Sequence, residues 1–172
     1  MLFPAFYGLL YISSLPSIKD LQAWQHNGIG YLLNVSGIDI NEMYSTNVFE
    51  SFQLVQITFA DIFTKGDIVN VDAAIDKSSS ENYLQLATDE EQQALLSAVQ
   101  ALVEQFQLGT QSCVFCHRGQ GRSPLVAAAA LGKFYRESIA QAIARTRIIH
   151  PPAIFTDISL SALQWCSEQV KP

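Results

Sequence analysis

The sequence predicts an α/β fold: a single domain with a central, mostly parallel sheet flanked by helices. Two observations predict it. Short β-branched and aromatic runs alternate along the chain with segments of helical periodicity, which is the pattern of strands joined by crossover helices. A length of 172 residues, 49% of them hydrophobic, suits one core that needs no disulfide staples. Internal repeats and low-complexity stretches are absent, so one domain over residues 1–172 is expected.

Residues 7–12 and 31–35 read as strands, with a helix over residues 17–26 between them. Ser17 and Asp20 have the spacing of a capping box, and Asn27-Gly28 stops that helix. Residues 52–59 alternate well enough for a third strand, and Ser112-Cys113-Val114-Phe115 makes a short buried fourth. Thr88-Asp89-Glu90-Glu91 starts a helix in which Ala94, Leu95, Ala98, Val99, Leu102 and Phe106 recur at helical spacing as far as Gly109. Ser123-Pro124 opens the next helix, with proline where its missing N–H costs nothing. Residues 125–131 are apolar all round, so that helix is expected inside the protein. Further helices are expected over residues 138–147 and 156–170, separated by Pro151-Pro152. Residues 61–87 are polar, include Ser78-Ser79-Ser80, and read as a long loop or insertion with a short helix within 68–75. A loop of that length in a compact domain is usually functional or mobile.

The net charge of −6 is unevenly spread. Residues 1–117 hold 3 basic and 13 acidic side chains, whereas residues 118–172 hold 7 basic and 3 acidic. The C-terminal third is therefore the expected anion-binding region, and nucleic acid is not an expected partner of so acidic a chain. The apolar start of the chain has no Lys or Arg before it and a proline within it, which argues against a signal peptide. No apolar run reaches the roughly 20 residues of a membrane span, so no membrane anchor is expected. Three cysteines, Cys113, Cys116 and Cys166, suit a reducing cytoplasm and leave free thiols. Oligomeric state has no signal in the sequence.

The chemistry concentrates in Cys116-His117-Arg118-Gly119-Gln120-Gly121-Arg122-Ser123, between the fourth strand and the proline-started helix. Backbone N–H groups of a tight loop, freed by Gly119 and Gly121 to approach a ligand, converge there with a helix N-terminus. The result is an anion cradle that fits a phosphate. Its positive field favours the thiolate of Cys116, the nucleophilic form. Arg122 can fork two donors to phosphoryl oxygens and to the charge of a transition state. His117, Arg118, Gly119, Gln120 and Gly121 are the expected substrate-binding residues. No metal or other cofactor is expected, because thiolate and arginine supply the nucleophile and the positive charge.

These residues resemble the C-x5-R-[S/T] signature of the cysteine-dependent protein tyrosine phosphatases, with the inner glycine at Gly119. The resemblance covers most of the chain. Leu10-Tyr11-Ile12-Ser13-Ser14, followed by Gly30-Tyr31-Leu32-Leu33-Asn34-Val35-Ser36, is similar to the opening of the dual-specificity branch. Low-molecular-weight phosphatases carry the signature near the N-terminus and fit less well. The resemblance implies a hydrolase that forms a phosphocysteine at Cys116, with Ser123 donating a hydrogen bond to the sulfur. It also implies an aspartate after a strand that protonates the leaving oxygen and then activates water. Val55-Gln56-Ile57-Thr58-Phe59-Ala60-Asp61 matches that placement, and Asp67 is the reserve candidate. Such a proton donor is what the chemistry needs, since thiolate and arginine cannot supply one.

The sequence departs from the family at Phe115, where a histidine that helps hold the loop usually precedes the nucleophile. Residues 61–87 also exceed the general-acid loop of small members, as either a lid or a surface decoration. Phosphoinositide-directed relatives tend to carry lysines inside the loop; the variable positions here are His117, Arg118, Gln120 and Gly121, so a phosphorylated protein or peptide is the expected substrate. Whether phosphotyrosine alone or also phosphoserine and phosphothreonine is accepted depends on pocket depth.

Rival readings exist for the same residues. Cys113-Val114-Phe115-Cys116-His117 matches the C-x-x-C-H attachment pattern of c-type haem, but it lies on an apolar strand and no export signal accompanies it. As a redox pair the two cysteines would point to opposite faces of a strand about 10 Å apart, beyond the roughly 7 Å a disulfide tolerates. Cys113 and Cys166 are therefore expected in the core. His26 and His150 stand alone and read as surface or capping residues, and zinc lacks a second ligand pair. From another functional class, a phosphatase fold that binds phosphorylated partners with little turnover is the alternative; Phe115 favours it, and Cys116, Arg122 and Asp61 argue against it.

Overall fold

The computed structural model describes residues 9–44 and 47–169. Four strands, β1 (Leu10–Ser13), β2 (Tyr31–Asn34), β3 (Gln53–Gln56) and β4 (Ser112–Phe115), form one sheet in the order β1-β4-β2-β3. All three pairings are parallel, with Leu10 opposite Ser112, Tyr31 opposite Ser112, and Tyr31 opposite Gln53. β2 and β4 are buried along their whole length, as central parallel strands covered on both faces must be. The single-domain α/β layer fold expected from the sequence is the one observed. Residues 7 and 8 of the first expected strand, and residue 170 of the last expected helix, lie outside the described residues.

Helix α1 (Ile18–His26) begins on the capping box read from Ser17 and Asp20 and ends at Asn27. The short α2 (Ile40–Met43) is capped by Asp39. Within residues 61–87 lie two 3-10 turns, Phe63–Lys65 and Ile75–Lys77, and the helices α3 (Val71–Ala74) and α4 (Glu81–Leu86). α5 (Asp89–Leu108) starts on a complete Thr88–Glu91 capping box and stops at Gly109, whose φ of +71° is left-handed. α6 (Arg122–Tyr135) follows β4, then α7 (Ile139–Ile149) and α8 (Asp157–Glu168).

The sheet separates two apolar layers. On one face, α6 packs against α5, α7 and α8, and residues 123–131 of α6 are all buried, as an all-apolar helix requires. On the other, Leu21, Ile29, Leu32, Ile40, Phe49 and Phe52 cover Cys113 and Phe115. Strand alternation divides β4 accordingly: Cys113 and Phe115 face the smaller layer, Val114 and Cys116 the larger. Cys113 and Cys166 are buried core thiols, pushed up by burial, Cys166 to about 12.

The third expected strand ends early. β3 stops at Gln56; Ile57 N still donates to Asn34 O at 2.9 Å, and residues 58–62 leave the sheet. Phe59 sustains the apparent alternation because it is buried against Phe63, with ring centroids 6.2 Å apart, rather than because it pairs in the sheet. Residues 61–87 are docked along α8. Phe63 stacks on Tyr83 at 6.1 Å, and Tyr83 packs at a tilt against Trp165 at 5.3 Å. Asp67 N donates to Asp157 Oδ1 at 2.8 Å, Asp157 N donates to Asp67 O at 2.9 Å, and Tyr83 N donates to Ser161 Oγ at 2.8 Å. Gly66 is needed at its point of closest approach, since a Cβ there would stand 2.3 Å from Asp157 Oδ1.

Candidate active site

Strand β4 ends at the sheet's carboxyl edge, and the chain must turn from there into buried helix α6. The turn is the segment from Cys116 to Gly121. Gly119 adopts a φ of +71°, and a Cβ there would stand 2.8 Å from Ser14 N and 3.0 Å from the Ser13 carbonyl carbon, so the loop packs backbone to backbone on the end of β1. Its carbonyls are taken from outside: His117 O accepts from Leu15 N (3.1 Å), Gln120 O from Ile154 N (2.8 Å), and Gly119 O lies 2.7 Å from His150 Nε2. With all peptides trans among the described residues, N–H groups point opposite to those carbonyls, toward the inside of the loop. No hydrogen bond among the described residues uses the N–H groups of residues 117–121. Helix α6 starts just behind at Gly121, without a side-chain cap, so its first N–H groups face the same point.

Cys116 stands at the base of this loop, 2% exposed, with Sγ 3.2 Å from Ser123 Oγ. Ser123 Oγ is also 3.3 Å from Ser13 O. A hydroxyl has one proton, so in the thiol form Ser123 can donate to Ser13 O while the S–H donates to Ser123. Once the sulfur is ionised the hydroxyl can turn and donate to it.

Arg122, at the first position of α6, reaches across the cleft. Its Nη1 donates to Ser36 O at 2.8 Å and to Phe59 O at 3.4 Å, tying the end of β2 to the segment that carries Asp61. Its Nε is buried and has no partner among the described residues. A phosphoryl oxygen in the cleft would supply the missing acceptor, whereas an orphaned buried donor costs on the order of 1–3 kcal/mol.

Asp61 forms the facing wall. Its Oδ1 accepts from Phe63 N and Thr64 N at 3.3 and 3.4 Å, and Oδ2 accepts from the Thr64 hydroxyl at 3.1 Å. The segment is held from behind by Glu91, whose Oε1 closes the α5 capping box while Oε2 accepts from Ala60 N at 3.1 Å. The Thr88 backbone N–H, helped by that of Ala60, holds the Glu91 carboxyl below its ordinary range. Asp67 lies farther along with its backbone bonded to Asp157, and it does not line the cleft.

The resulting cleft, of about 560 Å³, is lined by Asp61, Cys116, His117, Arg118, Gln120, Gly121 and Arg122, and also by Thr64, Lys65 and Ile154. The structure therefore brings together Cys116, Arg122, Asp61 and the loop residues that the sequence reading singled out. Ser123 sits beneath them and Gly119 in the loop's back wall. Thr64, Lys65 and Ile154 were not singled out; their only sequence signal was proximity to Asp61 and to the Pro151-Pro152 turn. Phe115, fully buried, packs on Trp24 at 6.2 Å within the smaller layer, on the face of the sheet away from the loop. Among the described residues no group of three or more His, Cys, Asp or Glu is placed to hold a metal ion, and no helix is long and apolar enough to cross a membrane.

No protein-family model matches the sequence, and no curated protein does. Solved structures do share its fold. Tk-PTP in its active form superposes with a TM-score of 0.64 at 18% identity, over 98% of this chain and 100% of that one. PTPMT1 gives 0.65 at 15% identity, over 94% and 91%, and has also been crystallised in complex with PI(5)P. Human DUSP28 gives 0.60 at 17% identity, over 96% and 93%. The chain has the fold of the cysteine-dependent tyrosine and dual-specificity phosphatases.

Proposed function

We propose that this chain is a phosphoprotein phosphatase that hydrolyses phosphate monoesters, phosphotyrosine first and phosphoserine or phosphothreonine as pocket depth allows, through a phosphocysteine intermediate. The observation that carries the proposal is the convergence of Cys116 Sγ, the inward N–H groups of Arg118, Gln120 and Gly121, the unpartnered Arg122 Nε and the Asp61 carboxyl on one cleft. In the first step the Cys116 thiolate attacks phosphorus and the ester P–O bond breaks. The departing oxygen takes the proton of the Asp61 carboxyl. In the second, Asp61, now a carboxylate, takes a proton from water, whose oxygen attacks phosphorus. The S–P bond breaks and the thiolate returns, stabilised by the Ser123 hydroxyl. Arg122 and the loop N–H groups hold the three equatorial oxygens in both steps.

Substrate preference follows from the rim. Lys65, Arg118 and His117 stand around the mouth with Asp61 the one carboxylate in the lining, which suits a phosphorylated segment with acidic neighbours. The three free cysteines support a reducing cytoplasm as the working compartment. The test is turnover of 4-nitrophenyl phosphate with chelator present, followed by a phosphopeptide panel run beside soluble PI(5)P. Turnover that survives chelator, is lost in Cys116→Ser, and favours phosphopeptides supports the proposal. Turnover that needs a metal, or persists in Cys116→Ser, refutes it, and a preference for PI(5)P would move the substrate class to inositol lipids.

A further inference from the structure

We infer that His150 is a positioning residue of the anion loop, acting through the Gly119 carbonyl; the inference rests on the reading of that loop as a phosphate cradle. His150 is the C-cap of α7, its N–H donating to Thr146 O at 2.8 Å, and it opens the turn that contains Pro151 and Pro152. Ala153 N donates back to His150 O at 3.1 Å, so the histidine's backbone is fixed on both sides. Its Nε2 lies 2.7 Å from Gly119 O. A carbonyl only accepts, so Nε2 carries the proton.

The consequence falls on the other side of the peptide. Because the bond is trans, a Gly119 carbonyl directed at His150 aims the Gln120 N–H into the cradle. Gly119 is also the position where this orientation is least secure. At φ +71° a glycine pays no steric penalty for either sign of φ, so its following peptide plane turns more easily than that of any neighbour. The other two outward carbonyls, of His117 and Gln120, are held by the backbone N–H groups of Leu15 and Ile154. Among the described residues, the Gly119 carbonyl is the loop carbonyl held by a side chain. Phe115 has its ring on the far face of the sheet and adds nothing to the loop.

The test compares His150→Ala with His150→Gln, whose amide N–H₂ can reach the same carbonyl. Calorimetry in a Cys116→Ser background reads the affinity of the cradle for inorganic phosphate and for tungstate, independently of turnover. His150→Ala is expected to weaken both about tenfold and to lower kcat/KM for 4-nitrophenyl phosphate by a similar factor, the size of one buried hydrogen bond. His150→Gln restores most of the loss although it, like His150→Ala, removes the imidazole ring. Equal losses in the two variants, or none in His150→Ala, overturn the inference. In the unsubstituted chain, nitrogen NMR of the imidazole should show the Nε2–H tautomer with a slowly exchanging proton, and the Nδ1–H tautomer would overturn the inference without any variant. If the Cys116→Ser chain with His150 intact binds neither phosphate nor tungstate, the cradle reading fails first and the inference fails with it.

Discussion

Gly121→Ala separates the proton donor from the anion cradle by a single methyl group. Gly121 has a φ of −113°, so the substitution carries no left-handed penalty. What the methyl meets is the opposite wall: it would lie 2.7 Å from Thr64 Cγ2 and 3.0 Å from Asp61 Oδ1, where non-bonded carbons settle at roughly 3.5–4.0 Å. Thr64 is short and β-branched, and its N–H and hydroxyl are bonded to Asp61, so it cannot swing aside alone. The segment carrying Asp61 must retreat by roughly 1 Å, a displacement worth on the order of 10²-fold for a group that has to meet a reacting atom. The assay is kcat across a series of aryl phosphates of decreasing leaving-group acidity, with tungstate affinity measured alongside. The expected loss approaches about 10²-fold for the least acidic phenols, shrinks toward the most acidic, and leaves tungstate affinity unchanged. Gly119→Ala should behave oppositely, since its methyl strikes the backbone of Ser13 and Ser14 and deforms the cradle itself. A loss for Gly121→Ala that is uniform across the series, or accompanied by lost tungstate binding, would refute the assignment of this wall to proton transfer.

Three further outcomes follow. Asp61→Ala should lower kcat for poor leaving groups by roughly 10²–10⁴-fold and flatten the alkaline limb of the pH–rate profile, while Asp67→Ala does neither, because Asp67 is bonded through its backbone to Asp157 and does not line the cleft. Iodoacetate at neutral pH should label Cys116 in the folded protein and be blocked by phosphate, with Cys113 and Cys166 reacting only after unfolding because burial pushes their thiols up; mass mapping that finds either modified first contradicts the layer assignment. Glu91→Gln keeps an acceptor for the capping box but turns an amide toward Ala60 N, so kcat should fall severalfold for poor leaving groups with little change in thermal stability. For the native chain the sign is fixed by the lowered Glu91 carboxyl: its contribution is complete above the ordinary glutamate range and fades as pH falls through the depressed value, so acid titration of Tm should show a smaller drop in the Gln variant.

What the sequence made legible was what local physics decides. The Ser17–Asp20 and Thr88–Glu91 boxes and the Gly109 stop are contacts within one helical turn, and the structure has each of them. The loop from Cys116 to Ser123 was legible because its glycines, arginine and proline-started helix are consecutive. The end of β3 was not, since Phe59 alternates correctly yet answers to Phe63 and Arg122 rather than to a neighbouring strand. The short helix expected within residues 68–75 is there as α3, but the rest of residues 61–87 read as loop because its order comes from α8, through Tyr83 on Trp165 and Gly66 against Asp157, contacts some eighty to ninety positions away in the chain. α2 is one turn long, too short for a periodicity to register. His150 read as a surface or capping residue and is the C-cap of α7; its grip on Gly119, 31 positions earlier, depends on where the Pro151–Pro152 turn lands.

The central claim is that phosphorus passes through Cys116 sulfur, and rapid acid quench of the Asp61→Ala protein during turnover of 4-nitrophenyl phosphate, whose acidic phenol departs without a proton from Asp61, tests it most directly. Slowed release should let the intermediate accumulate. Peptide mapping is then predicted to find one phosphoryl group on the peptide containing Cys116, absent in Cys116→Ser and removed when the sample is left at neutral pH before quenching. A phosphoryl group on any other residue, or turnover with none on the protein at any quench time, would contradict the account.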